Sequence, residues 1–332
     1  MEKRKEIVMS GIRPTGFLHL GNYFGALRNY VRMQETYTCY FMVADLHALT
    51  TLKETKELKG HVRRVIAENI ACGLDPEKVA FYCQSHVPET AELYLLLNML
   101  AYVGELEKTP TFKDKVRLQP QNVNAGLLTY PVLQAADILL HRATLVPVGK
   151  DQEQHLEIAR NYVNRFNQRY GGEVFPEPYA FNFGEELVRV PSLDGAGKMS
   201  KSENQMATLY LADDDEAIRK KISKARTESG GAPGSPMPES VANLFQLMRL
   251  VGGETAAYEA QFAEGAIRYG DMKKDLAERM IAFIAPIREK AEAIRNDEAY
   301  LRKVMDMGAE KARASAKITI DLAKEAIGLN YY

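Results

Sequence analysis

The chain has no tryptophan, only three cysteines and no long apolar run among its 332 residues. Cys39, Cys72 and Cys83 lie far apart and form no CxxC pair, which argues against a zinc, iron–sulfur or redox site, so we expect three small buried hydrophobic side chains. No segment approaches the roughly 20 apolar residues that a membrane-spanning helix needs. The apolar run behind the charged N-terminus is too short for a signal peptide. These absences predict a cytoplasmic protein with no membrane segment.

An excess of charge of one sign is also missing. Because 43 basic side chains stand against 44 acidic ones, the formal net charge is −1 and no global field attracts a nucleic acid. Any contact with RNA therefore needs a local basic patch. Hydrophobic residues make up 46% of the chain, which at this length is enough to bury one large core or two smaller ones.

Short apolar runs alternate with amphipathic stretches of helical period from Ile7 to about Gly149. This alternation is typical of an α/β fold with a parallel sheet. The expected strands are residues 7–10, 39–44 and 79–84, and residues 146–149 read as the end of a further strand. The expected helices are residues 23–34, 54–72, 89–102, 127–140 and 151–170. After a loop-rich stretch behind Gly171, the pattern beyond Leu211 is helical only, over residues 213–226, 241–251, 255–262, 270–296 and 297–327.

Two short strings carry the strongest chemical signal. Residues 14–23 read PTGFLHLGNY and lie between an expected strand and an expected helix. Residues 197–202 read GKMSKS and lie on a glycine-rich loop. Backbone N–H groups gather at such a helix start and suit phosphate, and the absence of a Cβ at Gly21 lets a nucleotide approach the backbone. Taken alone, His19 could be a plain helix cap and the loop lysines could be simply solvated. Together, in this order, they predict an ATP site assembled from distant segments.

Asp137 is the most informative residue for a second substrate. It lies inside the apolar run LQAADILL, where a carboxylate is unfavourable unless something donates a hydrogen bond to it. One interpretation is an ion pair with a nearby arginine such as Arg142. The other is a pocket acid that accepts one hydrogen bond from an apolar substrate side chain and thereby rejects analogues that lack the donor.

Several other polar residues follow predicted strand ends or share the helix of Asp137. His47 follows the second strand, and Tyr130 lies two turns before Asp137 on the same helix face. Gly149, Asp151 and Gln152 open a helix, where Asp151 is either a helix cap or an acceptor for ribose hydroxyls. Carboxyl ends of parallel strands meet at one edge, so we expect these side chains to share one crevice.

Two further groups of cations have both plain and functional interpretations. Lys113 and Lys115 precede a loop and are either solvated or directed at phosphate. A later predicted helix has acids at its start and ends with the bases Arg219, Lys220, Lys221, Lys224 and Arg226. That arrangement suits the helix dipole, and the alternative is contact with RNA phosphates.

With these residues in view, the sequence resembles bacterial tryptophanyl-tRNA synthetases from about Val8 to the C-terminus. The two strings resemble the HIGH and KMSKS signatures of class I aminoacyl-tRNA synthetases. The segments SGIRPTG (residues 10–16), GNYFGAL (21–27), AGLLTYP (125–131) and VPVG (146–149) are also similar to that family's.

The resemblance implies a Rossmann-like catalytic domain over residues 1–205, a helical anticodon-binding domain over 206–305, and a C-terminal helix over 306–332 that packs back on the first domain. It implies ATP with Mg²⁺, no protein-held metal, L-tryptophan and tRNA(Trp) as partners, and a homodimer.

The resemblance also assigns residues. The positions for catalysis are His19, Asn22, Lys198 and Lys201. Those for ATP are Arg13, Thr15, Gly21, Asn22, Lys115, Gly149, Asp151, Lys198, Met199, Ser200 and Lys201. Those for tryptophan are Met9, Ser10, His47, Tyr130, Gln134, Asp137, Val146, Val148 and Gln152, with Asp137 accepting from the indole N–H. The chain departs from some members at Met9 and Gln134, where they have Phe and Met, and at Arg13, where they have Gln.

Three alternatives remain at this point. A tyrosyl-tRNA synthetase has a similar fold and pocket acid, but its phenol donor needs a second polar partner where Met9 stands. A small-substrate adenylyltransferase has no use for the long helical region past Leu211. A non-catalytic RNA-binding relative has no need for intact His19, Gly21, Lys198 and Lys201.

Overall fold

The computed structural model describes residues 6–52, 54–118, 120–121, 123–149, 153–181, 188–195, 197–200, 204–227 and 233–331. Within this part of the chain, five parallel strands form one sheet in the order β3-β2-β1-β4-β5. The strands are β1 (Ile7–Ile12), β2 (Thr38–Val43), β3 (Ala80–Cys83), β4 (Leu145–Val146) and β5 (Tyr179–Ala180). The α/β fold with a parallel sheet is confirmed.

The sheet is apolar on both faces because successive residues of its central strands point to opposite sides. Val8, Phe41 and Phe81 lie in one hydrophobic cluster. Met9 and Met42, one position further along their strands, lie in another. Strand β5 was not predicted, because it is two exposed residues long and carries no apolar pattern.

Helices cover the sheet and continue beyond it. Those of the first half are α1 (Leu20–Asn22), α2 (Arg28–Met33), α3 (Asp45–Ala48), α4 (Leu58–Ala71), α5 (Glu89–Asn98), α6 (Val103–Leu106), α7 (Pro110–Leu118), α8 (Ala125–Leu140) and α9 (Glu153–Tyr170). Those of the second half are α10 (Asp215–Ser223), α11 (Glu239–Leu250), α12 (Ala256–Ala263), α13 (Tyr269–Asn296) and α14 (Glu298–Ile327). A π-helical turn, Tyr23–Leu27, joins α1 to α2. In the described part of the chain, no helix is long and apolar enough to cross a membrane.

The last helix covers the free edge of the sheet. At Gly308 of α14 a Cβ would lie 1.8 Å from the carbonyl oxygen of Phe81 in β3, so only glycine permits this approach. Lys311 donates to the carbonyl oxygens of Pro76, Glu77 and Val79 just before β3. The edge strand is thereby protected from pairing with another chain. Helix α14 continues without a break across residues 305 and 306, where the sequence analysis places the start of a separate C-terminal helix.

The cysteines are small core residues only in part. Cys39 and Cys83 are buried, whereas Cys72 is half-buried at the end of α4. Burial raises the pKa of the Cys83 thiol to about 12.

A buried histidine ties the sheet to α14. His141 is 1% exposed; its Nε2 lies 2.8 Å from the Tyr82 hydroxyl and its Nδ1 lies 3.3 Å from the Ser315 hydroxyl. Its ring stacks on Tyr40 with the centroids 4.1 Å apart. Burial lowers the pKa of His141 to about 3, so the folded protein holds it neutral.

We predict that His141 makes the fold sensitive to mild acid. An unfolded histidine has a pKa of about 6.5, so protonation favours the unfolded chain as the pH falls from that value towards 3. The free energy of unfolding from urea titration should therefore fall by about 2 kcal/mol more between pH 7 and pH 5 in the wild type than in His141→Gln. His61→Gln, on the partly exposed face of α4, is the matched control. An equal fall in wild type and His141→Gln would contradict the prediction.

Candidate active site

A cavity of about 480 Å³ opens at the carboxyl edge of the sheet. Residues of β1, β2 and β4 and of the segments that follow these strands line it, together with one face of α8. Of the positions predicted from sequence, Met9, Ser10, Arg13, His47, Lys115, Tyr130, Gln134, Asp137, Val146, Val148 and Gly149 line this cavity. The expectation of one shared crevice therefore agrees with where the structure places these side chains.

The carboxylate of Asp137 is 2% exposed and fully compensated by two side chains from strand ends. His47 Nε2 lies 2.9 Å from Oδ2, and Gln84 Nε2 donates to Oδ1 and Oδ2 at 2.9 and 3.0 Å. The backbone N–H of His47 donates to Gln84 Oε1 at 3.2 Å, which closes a ring of hydrogen bonds and fixes the amide of Gln84. Burial raises the pKa of Asp137, and the bonds from His47 and Gln84 act against that rise.

The alternative interpretation of Asp137 is wrong. Its carboxylate forms no ion pair with Arg142, and the Arg142 Nε has no hydrogen-bond partner among the described residues. Asp137 thus lies on the cavity wall instead of in a surface ion pair.

Two cations also line the cavity. Arg13 donates from Nη2 to the Thr51 hydroxyl at 2.8 Å and to the carbonyl oxygen of His47 at 3.3 Å. Lys115 places its Nζ 3.9 Å from the centroid of the Tyr130 ring. Burial lowers the pKa of both groups, and the charge of Arg13 lowers the pKa of Lys115 further. An anion in the cavity would relieve this repulsion.

The Tyr130 hydroxyl is held from the opposite side by helix α9. It lies 3.0 Å from Nε2 of His155, which is itself buried and lines the cavity. His155 was not predicted, because a histidine inside an amphipathic helix gives no signal of its own in the sequence. Gln84 was also missed as a site residue, although it ends the predicted strand 79–84.

The first motif string lies at the start of α1, after the turn that follows β1. The His19 N–H donates to the Asn22 Oδ1 at 3.0 Å, which caps the helix start. A Cβ at Gly21 would lie 2.8 Å from the His19 ring and 3.7 Å from the Met199 carbonyl oxygen. Thr15 lies in the turn behind Arg13, where its N–H donates to the Arg13 carbonyl oxygen at 2.9 Å. Thr15, His19, Gly21 and Asn22 do not line the cavity itself.

The second string lies directly beside the first. Its backbone is paired with residues 190–192: Met199 N–H donates to the Val190 carbonyl oxygen at 2.9 Å, and Lys198 bridges Pro191. Met199 is 3% exposed and anchors the loop, while Lys198 is exposed and Ser200 half-buried. The close approach of Gly21 to Met199 brings the two strings together across some 180 residues of sequence, as the motif order predicts. Asp151, Gln152 and Lys201 lie outside the described residues.

Metal ligands are not grouped in the described residues. No cluster of three or more His, Cys, Asp or Glu side chains among them is arranged to hold an ion.

Comparison with known proteins identifies the family. The family model described as tRNA synthetases class I (W and Y) matches residues 1–285. The tryptophan–tRNA ligase of Porphyromonas gingivalis is 52% identical over 326 residues, which are 97% of this chain and 99% of that protein.

Two solved structures have the same fold. The tryptophanyl-tRNA synthetase of Campylobacter jejuni, in complex with ADP and tryptophan, is 36% identical with a TM-score of 0.87, and the match covers 97% of this chain and 99% of that one. The enzyme of Mycoplasma pneumoniae is 30% identical with a TM-score of 0.81, and 98% of each chain is covered. The resemblance found in the sequence is confirmed: this chain belongs to the tryptophanyl-tRNA synthetases, a family of class I aminoacyl-tRNA synthetases.

Proposed function

We propose that the cavity at the carboxyl edge of the sheet binds L-tryptophan and that ATP binds between this cavity and the paired motif strings. The chain is a tryptophan–tRNA ligase by its family. In the first step the tryptophan carboxylate attacks the α-phosphorus of ATP in line, giving tryptophanyl-adenylate and pyrophosphate. In the second step a terminal ribose hydroxyl of tRNA(Trp) takes the acyl group and AMP leaves. Since this reaction serves protein synthesis, we place the enzyme in the cytoplasm.

The buried carboxylate of Asp137 carries the proposal for tryptophan. A buried acid on an otherwise largely apolar wall suits a flat apolar ring with a single N–H donor. His47 and Gln84 hold the carboxylate in place, so the indole N–H meets an acceptor of fixed position. Met9, Gln134, Val146 and Val148 line the same cavity and supply contacts to the ring. Ser10, Tyr130 and Gln152 are then left for the polar end of the amino acid.

The cations support the proposal for adenylation. Arg13 and Lys115 face the cavity and suit the substrate carboxylate or the α-phosphate, where negative charge concentrates during the attack. Thr15, His19, Gly21 and Asn22 at the start of α1 suit the phosphates, with the loop of Lys198, Met199, Ser200 and Lys201 closing over the leaving pyrophosphate. Gly149 and Asp151 suit the ribose. Mg²⁺ bound to the triphosphate of ATP would neutralise part of its charge.

The helical region supports a role in binding tRNA(Trp). Helices α10–α13 share a third hydrophobic cluster with residues 18–27 and 188–211, separate from the clusters on the two faces of the sheet. We propose that residues 1–205 form the catalytic domain, that 206–305 bind the anticodon, and that 306–332 belong with the catalytic domain. The exposed Lys224 and Arg226 provide a local basic patch at the end of α10 and just behind it.

Exposed apolar side chains on α5, α6 and the turn between them support a homodimer. Leu95, Met99, Tyr102 and Val103 are each more than half exposed, at 55, 66, 58 and 59%. Ala91 and Tyr94 of the same helix α5 line a mostly apolar cavity of about 310 Å³, which shares Thr50 and Tyr130 with the proposed tryptophan cavity. A patch of this kind is typical of a protein interface.

We predict that Asp137→Ala weakens the choice of tryptophan over phenylalanine. Phenylalanine has no ring donor, so it gains nothing from the acid, and the ratio of the two kcat/KM values should fall by about 100-fold or more. The measurement is amino-acid-dependent pyrophosphate–ATP exchange with tryptophan, tyrosine and phenylalanine in parallel. Asp114→Ala, an exposed acid on α7, is the control. An unaltered ratio would remove Asp137 from the pocket, and exchange with tyrosine alone would reassign it to a phenol.

We predict that Lys198→Ala slows adenylate formation without weakening tryptophan binding. The lysine acts on the leaving pyrophosphate, so the exchange rate should fall by roughly 100-fold. Because the chain contains no tryptophan, the ligand's own fluorescence reports binding directly when it is excited beyond the tyrosine absorption band. Lys113→Ala, an exposed lysine on α7, is the control. An unchanged exchange rate would overturn the role of Lys198.

We predict that the wild type sediments as a dimer of about twice the 37.3 kDa of the chain. A glutamate in the apolar patch introduces a charge that is unfavourable to bury, so Met99→Glu should give a monomer. Ile318→Glu, an exposed apolar residue on α14, is the matched control and should stay dimeric. A wild type that is monomeric at micromolar concentration would contradict the proposed interface.

A further inference from the structure

A short segment behind the second motif string, residues 208–213, pairs with the first one. Leu20 N–H donates to the Leu209 carbonyl oxygen at 3.0 Å, and Leu211 N–H donates to the Leu18 carbonyl oxygen at 2.8 Å. His19 lies between these two bonds, and its backbone forms an isolated antiparallel β-bridge with Tyr210. The position of His19 therefore depends on the position of this segment.

The same segment also holds the loop of Lys198. The Thr208 hydroxyl donates to the Ser200 carbonyl oxygen at 3.1 Å and to the Asn204 carbonyl oxygen at 3.4 Å. Thr208 is 1% exposed, so these bonds are shielded from water. One segment thus contacts both motif strings.

Lys221 of α10 fixes this segment from the other side. Its Nζ donates to the Thr208 carbonyl oxygen at 3.0 Å and to the two Asp213 carboxylate oxygens at 2.8 and 2.7 Å. Asp213 also accepts from the Tyr210 N–H at 2.9 Å. The ammonium also lies 4.7 Å from the centroid of the Tyr210 ring. Tyr210 is the residue whose backbone forms a β-bridge with His19.

Burial separates Lys221 from the other cations of its helix. Lys221 is 8% exposed and its three N–H donors match three acceptors, whereas the neighbouring Lys220 is exposed. Lys221 lies in the last turn of α10, as the helix-dipole interpretation expects. Its ammonium is buried against residues 208–213, which does not agree with a contact to RNA phosphates. Removing the ammonium would leave the Asp213 carboxylate without its cation and release the segment.

Arg288 of α13 supports the same turn. It donates to the Asp213 carbonyl oxygen at 2.6 Å and to the Asp215 carboxylate at 2.9 Å. Two cations from the helical region therefore hold the segment that positions both strings.

We propose that Lys221 is a positioning residue for adenylate formation. Its ammonium fixes residues 208–213, and through them it holds His19 on one side and the backbone of Ser200 on the other. Lys221 itself does not touch substrate. The inference rests on the proposed ATP site between the two strings, because misplacing either string matters only if both act on the same triphosphate.

The experiment compares Lys221→Met, Lys221→Arg and the matched control Lys220→Met. In Lys221→Met the rate of pyrophosphate–ATP exchange at saturating tryptophan should fall by about 10-fold or more, because the two strings are no longer held in fixed positions relative to each other. Tryptophan binding, read from ligand fluorescence, should stay unchanged because Lys221 does not line the tryptophan cavity. Lys221→Arg keeps a cation with N–H donors and should recover part of the lost rate. Lys220→Met should behave as the wild type in exchange.

The outcomes separate the two proposals. A wild type without tryptophan-dependent exchange would contradict the proposed function itself. With an active wild type, exchange in Lys221→Met equal to that of Lys220→Met would overturn the positioning role. Equal exchange rates in Lys221→Met and Lys221→Arg would also overturn the positioning role, because the packing of the side chain and not its charge would then set the rate. If Lys221→Met no longer folds, Asp213→Asn removes the carboxylate charge and keeps the shape; an unchanged exchange rate in that variant would overturn the proposal.

Discussion

The carboxylate of Asp137 imposes the constraint on which the cavity depends. A buried carboxylate is strongly unfavourable unless donors surround it, and here the donors come from two different strand ends. His47 follows β2 and Gln84 follows β3, while Asp137 itself lies on α8. Satisfying one acid therefore fixes the relative positions of two strands and a helix. The same arrangement leaves the acid on the cavity wall, so the interactions that stabilise the fold here also orient the acceptor that we propose for the indole N–H.

A second constraint joins segments that are far apart in sequence. The strings around His19 and Lys198 meet at Gly21, where a Cβ would lie within contact distance, 3.7 Å, of the Met199 carbonyl oxygen. Residues 208–213 then pair with one string and hydrogen-bond to the other. Two cations of the helical region, Lys221 and Arg288, donate hydrogen bonds to this segment, and both are largely buried. The helical region thus contacts the segment beside the ATP site that we propose, besides the role we propose for it with tRNA.

The sequence could predict those features that are encoded in contiguous residues, and it could not predict those that depend on contacts made in the fold. The strands expected at residues 7–10, 39–44 and 79–84 are short apolar runs, and the two strings are contiguous, so both were found in the sequence. Strand β4 was predicted only as a strand end from Val146 onward, and β5 was missed. Each has two residues and is defined by its partners in the sheet, which local pattern does not encode. The same holds for single residues. Asp137 was conspicuous as an acid in an apolar run, whereas Lys221 looked like its exposed neighbours, since only the packing of α10 against the segment before it decides which lysine is buried.

The charges in the cavity explain why it suits a zwitterionic amino acid and a triphosphate together. Arg13 and Lys115 are partly withdrawn from water and repel each other, so the free protein holds two cations in an unfavourable state. Asp137 forms no ion pair with either cation, and its carboxylate accepts instead from His47 and Gln84. An incoming carboxylate or phosphate relieves the repulsion, and the relief is greatest when both anions are present. Arg13, where some family members have Gln, adds a full charge to this balance, and we therefore expect it to strengthen the binding of anions more than it changes the packing of the ring.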